Sequence, residues 1–96
     1  MIYKIVIVDK AIVDYKKSLL WYKAIHPKLA IRFNDSFKRS IAIIKTNPLL
    51  FQIRYDNIRI VFLKTFPYAI HYSIYENSVV IKSIFHTSRD SELNIF

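Results

Sequence analysis

The spacing of apolar residues changes twice along this 96-residue chain, and these changes limit the folds it can adopt. Between Asp9 and Pro48, apolar side chains recur at steps of three and four, which is the period of a helix with one buried face. From Phe51 onward they alternate with other residues as they do along a β-strand, and the first eight residues alternate in the same way. The sequence therefore predicts one strand, then helices, then further strands, within a single domain covering residues 1–96.

Two helices are predicted after the first strand. The first spans residues 10 to about 25, with Asp9 as its cap and an end before Pro27, because the residue before proline avoids helical geometry. Its apolar side consists of Ile12, Val13, Leu19, Leu20 and Trp21. The second begins at Pro27 and stops near Asn47. Its apolar side consists of Ala30, Phe33, Phe37, Ile41 and Ile44. The connection is minimal, so we expect an antiparallel helical hairpin covered by a sheet.

The remaining chain is predicted to complete that sheet with three strands. Residues 51–55 are extended, and strands follow over residues 58–64, 70–75 and 79–85, with turns between them. His71 is expected on a sheet face, beside a tyrosine or a serine. The predicted fold class is α+β, in the order strand-helix-helix-strand-strand-strand, with the helical hairpin packed on a small antiparallel sheet.

Positive charge is the clearest feature of the composition. The formal net charge is +8 and the pI is about 9.8, so the chain has a field that attracts phosphates, acidic protein segments or anionic lipid. Frequent Ile, Lys, Asn, Tyr and Phe are also typical of an AT-biased genome, which makes the ten lysines less informative than the five arginines. Arginine is also better suited to bidentate binding of phosphate or carboxylate.

Several kinds of site are excluded by what the chain lacks. The sequence has no glycine, which excludes glycine-rich nucleotide-binding loops, and no cysteine, which excludes disulfides and thiolate metal sites. The spacing of His26, His71 and His86 fits no metal site, so we expect neither a metal nor a cofactor. The apolar runs are too short to cross a bilayer and the start of the chain lacks an export signal, so we expect a cytoplasmic protein without membrane association.

A group of polar residues in the C-terminal half, here called the polar set, is the candidate functional site. It consists of Arg59, Lys64, Tyr68, Tyr72, His86, Arg89 and Asp90. A metal-free nuclease could use arginine and lysine to hold phosphate, and histidine or tyrosine to transfer protons. The nuclease residues would then be Arg59, Lys64, His86 and Arg89. The alternative is structural: Arg89 forms an ion pair with Asp90 or Asp56, and His86 is a hydrogen-bonded residue at a strand end.

Six motifs occur in order along nearly the whole chain. They are Trp21-Tyr22, Leu29-Ala30-x-x-Phe33, Asn47-Pro48, Ile58-Arg59, Phe66-Pro67-Tyr68-x-Ile70-x-Tyr72 and His86-x-x-Arg89-Asp90. Together they resemble the RelE/ParE superfamily of toxins from type II toxin–antitoxin pairs, whose fold is a small sheet with a helical hairpin packed on it. The resemblance implies a cognate antitoxin that wraps the toxin and covers its apolar and basic surface. It is compatible with a homodimer or with a toxin–antitoxin hetero-oligomer.

The resemblance leaves two targets, because RelE-like members cleave messenger RNA on the ribosome whereas ParE-like members poison DNA gyrase. RelE-like nucleases commonly carry an arginine where this chain has Ala69, and use basic or tyrosine residues near the C-terminus, which residues 91–96 do not provide. The His86-x-x-Arg89-Asp90 ending looks more like the ParE side. We therefore expect a non-catalytic, plasmid-stabilising toxin that binds gyrase through the polar set. The alternative is a RelE-like, metal-independent endoribonuclease acting on the ribosome and messenger RNA.

Overall fold

Two prolines delimit the second helix, as the sequence predicts. In the computed structural model, which describes residues 2–88, helix α1 spans Asp9–Ile25 and helix α2 spans Pro27–Thr46. His26 separates them in an extended conformation, and its Nδ1 accepts a hydrogen bond from the backbone N–H of Lys28 at 3.1 Å. The remaining elements are β1 (Lys4–Ile7), a 3-10 turn (Pro48–Leu50), β2 (Ile53–Tyr55), β3 (Ile58–Phe62), β4 (Tyr68–Tyr75) and β5 (Ser78–His86). The predicted α+β class with a helical hairpin is confirmed.

Helix α1 packs through a face that coincides only in part with the predicted apolar side. Its buried residues are Ala11 and Ser18, and Tyr15, Leu19 and Tyr22 pack against the core. By contrast, Val13, Leu20 and Trp21 are 48%, 65% and 54% exposed, so the predicted apolar side is wrong at these positions. The small residues let α1 approach its neighbours closely, and the tyrosine rings supply the apolar contact. Asp9 is the first helical residue rather than the cap, because Val8 occupies the cap position without a side-chain hydrogen bond.

Within the described part of the chain, the sheet has five strands in the order β1-β5-β4-β3-β2, and it is mixed rather than antiparallel. Strand β1 pairs with β5 in parallel, from Lys4 opposite Ser78 to Ile7 opposite Ile81, whereas the other three pairs are antiparallel. Alternation of apolar residues identifies a strand, but it does not show which strand lies beside it. In this sheet the neighbour of β1 is β5, the last strand of the described chain. Parallel pairing needs a long crossover, which the intervening helices and strands supply. Residues 53–55, predicted only as extended, form the additional strand β2.

The helices cover one face of the sheet. The main core on that face includes Phe33, Phe37 and Ile44 from α2, Tyr68, Ile70 and Tyr72 from β4, and Val79, Ile81 and Ile84 from β5. On the opposite face, Ile58, Ile60 and Ala69 form a smaller buried cluster, with Tyr55 packed against it. Within residues 2–88, no helix combines the length and the apolar content needed to cross a bilayer.

The turns of this glycine-free chain use residues in the left-handed region of backbone conformation. Asp56, Thr65 and Glu76 have φ angles of 47°, 71° and 54°, and each lies between two successive strands. Aspartate tolerates this region, whereas β-branched threonine does so at a cost of about 1–3 kcal/mol. The turn that leads into β4 therefore stores backbone strain at Thr65.

Candidate functional site

The structure divides the polar set instead of gathering it. Arg89 and Asp90 lie outside the described residues, so the predicted cluster at the end of the chain has no structural account here. Arg59 and Tyr72 are register partners on β3 and β4, and Tyr68 and His86 are register partners on β4 and β5. The two pairs are separated by four residues along β4, a distance of about 13 Å at the rise of an extended strand.

Arg59 and Tyr72 both bind the backbone of the segment that follows α2. The hydroxyl of Tyr72 donates to the carbonyl oxygen of Pro48 at 2.6 Å, and Nη1 of Arg59 donates to the carbonyl oxygen of Phe51 at 2.5 Å. Tyr72 is fully buried, and burial raises its pKa to about 12 despite the smaller opposing effect of Arg59. Tyr72 is thus a neutral hydrogen-bond donor at physiological pH, and it cannot reach a target without opening of the core.

These two hydrogen bonds fix a loop that exposes large apolar side chains. Between the two anchored carbonyls, Leu49 and Leu50 are each 66% exposed. Two adjacent leucine side chains therefore project from an anchored loop into solvent. Residue type alone predicts that the polar residues on these strands face a target. The sequence carries no signal that their partners would be loop carbonyls.

Tyr68 and His86 form the second pair, at the other end of β4. Their rings meet edge to face with centroids 5.0 Å apart, and Tyr68 is only 2% exposed among the rings of Tyr22, Phe33 and Phe66. His86 is half-buried, and its Nδ1 accepts a hydrogen bond from the backbone N–H of Ser88 at 3.2 Å. Tyr68 is therefore a core residue, whereas His86 lies at the boundary between core and solvent.

Lys64 is the most accessible described member of the polar set. Its side chain is exposed just after β3, while its backbone carbonyl accepts a hydrogen bond from the Oγ of Ser36 on α2 at 3.0 Å. That bond ties the end of β3 to the helical layer. Lys64 is thus exposed and His86 half-buried near the start of β4, whereas Arg59 binds the loop opposite Tyr72, four residues further along that strand.

A buried histidine on the opposite sheet face was not among the candidate residues. His71 is 1% exposed, its Nδ1 lies 2.9 Å from the hydroxyl of Tyr55, and its Nε2 has no hydrogen-bond partner among residues 2–88. Burial, with a smaller contribution from Lys10, lowers its pKa from 6.5 to about 4. The predicted position of His71 on a sheet face beside a tyrosine is confirmed. Its burial was not predicted, because alternation alone does not tell which sheet face is covered.

No family model matches this sequence, and no curated protein matches it either. Among solved structures, a chain described as "Chromosomal ParDE TA system from P. aeruginosa" has a TM-score of 0.77 against this protein and 13% sequence identity. The similarity covers 88% of this chain and 96% of that chain. The predicted resemblance is therefore confirmed at the level of the fold.

Proposed function

We propose that this protein is the toxin of a type II toxin–antitoxin pair, that it is ParE-like, and that it acts by binding and poisoning DNA gyrase. The observation that carries the proposal is the fold shared over 88% of the chain with a chain of a ParDE system. The six motifs in the order expected for the RelE/ParE superfamily support the assignment to a toxin of that superfamily independently of the fold.

The arrangement of the polar set favours recognition over catalysis. A ribonuclease of the alternative kind would need Arg59, Lys64 and His86 to converge on one phosphate. The guanidinium of Arg59 instead donates to the Phe51 carbonyl, at the far end of β4 from His86. Ala69, the position at which RelE-like nucleases commonly carry an arginine, is only 3% exposed. We propose Lys64, His86, Arg89 and Asp90 as residues that contact the target.

A cognate antitoxin is the proposed protein partner. The net charge of +8 favours an acidic partner, and several large apolar side chains on the helical hairpin are exposed. Leu20, Ile25 and Ile31 are 65%, 59% and 61% exposed. A partner that covers such residues removes apolar surface from water, which favours a hetero-oligomer of toxin and antitoxin.

Controlled expression tests the toxin assignment. Induction of this protein alone is expected to arrest growth, and co-expression of the protein encoded by the adjacent reading frame is expected to restore it. Normal growth in the presence of soluble, folded protein would contradict the assignment. Cellular RNA is measured in the same cultures, because extensive cleavage of messenger RNA would replace gyrase with the ribonuclease alternative.

Arg89→Ala tests the contact residues. Because Arg89 is predicted at a polar strand end, we expect its loss to reduce toxicity while the free energy of unfolding changes by less than about 0.5 kcal/mol. Arg32→Ala, at an exposed position on α2, is the matched control and is expected to leave toxicity intact. A large loss of stability in Arg89→Ala would instead favour the structural ion pair.

A further inference from the structure

An open slot lies between strand β3 and the loop that precedes β2. Leu50 and Gln52 line it on the loop side, Ile60, Val61 and Phe62 line it on the strand side, and Arg54 also lines it. Its volume is about 440 Å³, and Leu50 and Phe62 are 66% and 55% exposed. The slot therefore has apolar walls that are accessible from solvent.

Within residues 2–88, the edge of β3 that faces this slot has no strand partner beyond Arg59. Strand β3 pairs with β4 over residues 59–62, but with β2 only at Ile58 and Arg59. Successive residues of a strand direct their N–H and C=O groups to opposite sides, so at least one of residues 60–62 directs both groups into the slot. Arg59 binds the loop at the Phe51 carbonyl, and within residues 2–88 the loop makes no backbone hydrogen bond to residues 60–62.

The positive charge of Arg54 at the slot favours an acidic binding partner. Arg54 is exposed and is the only charged residue among the described residues that line it. Between residues 2 and 88 the one ion pair joins Lys10 to Asp14, so Arg54 has no carboxylate partner in that part of the chain. A nucleic acid strand would need a series of cations along its path, whereas the described lining of this slot offers one cation, apolar walls that include Phe51 and Phe62, and a strand edge.

We propose that the slot binds an extended segment of the antitoxin as an added sixth strand. Its backbone pairs with residues 60–62 of β3, an apolar side chain enters between Leu50 and Phe62, and a carboxylate binds the guanidinium of Arg54. This inference rests on the proposed toxin–antitoxin function and names the surface through which that partner binds.

Hydrogen exchange and calorimetry of the full-length proteins test the proposal. The probe is the purified antitoxin identified by rescue of growth. On binding, we expect at least one amide of residues 60–62 to exchange more slowly by about tenfold or more. We expect Leu50→Asp and Arg54→Glu each to raise the Kd by about tenfold or more. Both positions are exposed, so neither substitution should prevent folding.

Two matched controls separate this slot from general effects of charge and apolarity. Leu49→Asp changes the neighbouring leucine, which is equally exposed but lines a different pocket, and Lys4→Glu changes a cation on β1 at the opposite edge of the sheet. Both controls are expected to change the Kd by less than about threefold.

The outcomes distinguish this inference from the proposed function. If the antitoxin binds and rescues growth but residues 60–62 gain no protection, or protection appears at β1 instead, the slot assignment is overturned and the toxin assignment stands. Equal Kd values for the slot variants and the wild type would have the same meaning. If an RNA oligonucleotide protects residues 60–62 and the antitoxin does not, the proposed occupant is wrong. An absence of any toxicity overturns both proposals.

Discussion

At the scale of single residues, polar side chains in this protein serve mainly to fix backbone. Tyr72 donates a hydrogen bond to the carbonyl group of Pro48, and Arg59 donates one to that of Phe51. These bonds hold the loop between α2 and β2 against β3 and β4. A buried carbonyl without a partner costs about 1–3 kcal/mol, which makes such donors structural. Residue type alone suggested target contacts for both, and only the path of the loop reveals their role.

Tyr72→Phe is expected to lower the free energy of unfolding by about 1–3 kcal/mol, because it leaves the Pro48 carbonyl without its donor. Tyr75→Phe is the matched control at a position 68% exposed, and it should change stability by less than about 0.5 kcal/mol. Urea denaturation of both variants measures the difference. Equal stability of the two variants would mean that Tyr72 does not anchor the loop.

His71 makes the fold sensitive to acid. Burial lowers the pKa of His71 from 6.5 to about 4. Between pH 6.5 and pH 4, His71 is therefore protonated in the unfolded chain and neutral in the folded chain. Stability is then complete above pH 6.5 and falls as the pH drops toward 4, by about 1.4 kcal/mol per pH unit at most and about 3 kcal/mol in total. His71→Gln should flatten this dependence in urea titrations between pH 7 and pH 4.5. A slope unchanged by the substitution would show that other groups cause it.

At the scale of elements, helix α1 continues the edge of the sheet where β1 stops. Strand β1 pairs with β5 as far as Ile81, whose carbonyl accepts from the N–H of Val8 at 3.1 Å. Beyond that point the N–H of Ile84 donates to Oδ2 of Asp14 on α1 at 3.1 Å. The carboxylate thus satisfies an edge amide that would otherwise lack a strand partner.

Asp14→Ala is expected to lower the free energy of unfolding by about 2 kcal/mol, because a hydrogen bond to a charged acceptor and the ion pair with Lys10 are both lost. Asp35→Ala removes an exposed carboxylate from α2 and is the matched control, with an expected change below about 0.5 kcal/mol. Thermal unfolding at pH 7 compares them. Faster amide exchange at Ile84 in Asp14→Ala should accompany the loss, and unchanged exchange there would contradict the assigned contact.

The elements differ in how far the sequence determines them. Helix α2 is bounded by Pro27 and Pro48, its apolar stripe is regular, and its bounds were predicted within two residues. The parallel pairing of β1 with β5 was not predicted, because it joins the two ends of the chain and depends on every element between them. In α1, Ala11 and Ser18 are buried while Leu20 is exposed, so a pattern based on hydrophobicity selects the wrong face.

At the scale of the whole molecule, the fold was predictable and the candidate site was only partly so. The six motifs follow one another along the sequence, and their order predicts the order of the helices and strands. That order agrees with the fold of a chain of a ParDE system. The polar set would form one site only if its members lay close together in space. Instead, the Arg59–Tyr72 pair and the Tyr68–His86 pair lie about 13 Å apart along β4. The slot beside β3 has no signature in sequence, because it depends on the path of the loop between α2 and β2.

The action of the purified protein on DNA gyrase tests the central claim most directly. Gyrase, ATP and plasmid DNA are incubated with increasing protein, and cleaved linear DNA is measured with and without the antitoxin. A ParE-like toxin predicts that cleaved DNA accumulates with protein concentration and that the antitoxin abolishes the effect. Unchanged supercoiling and unchanged cleavage at saturating protein would contradict the account.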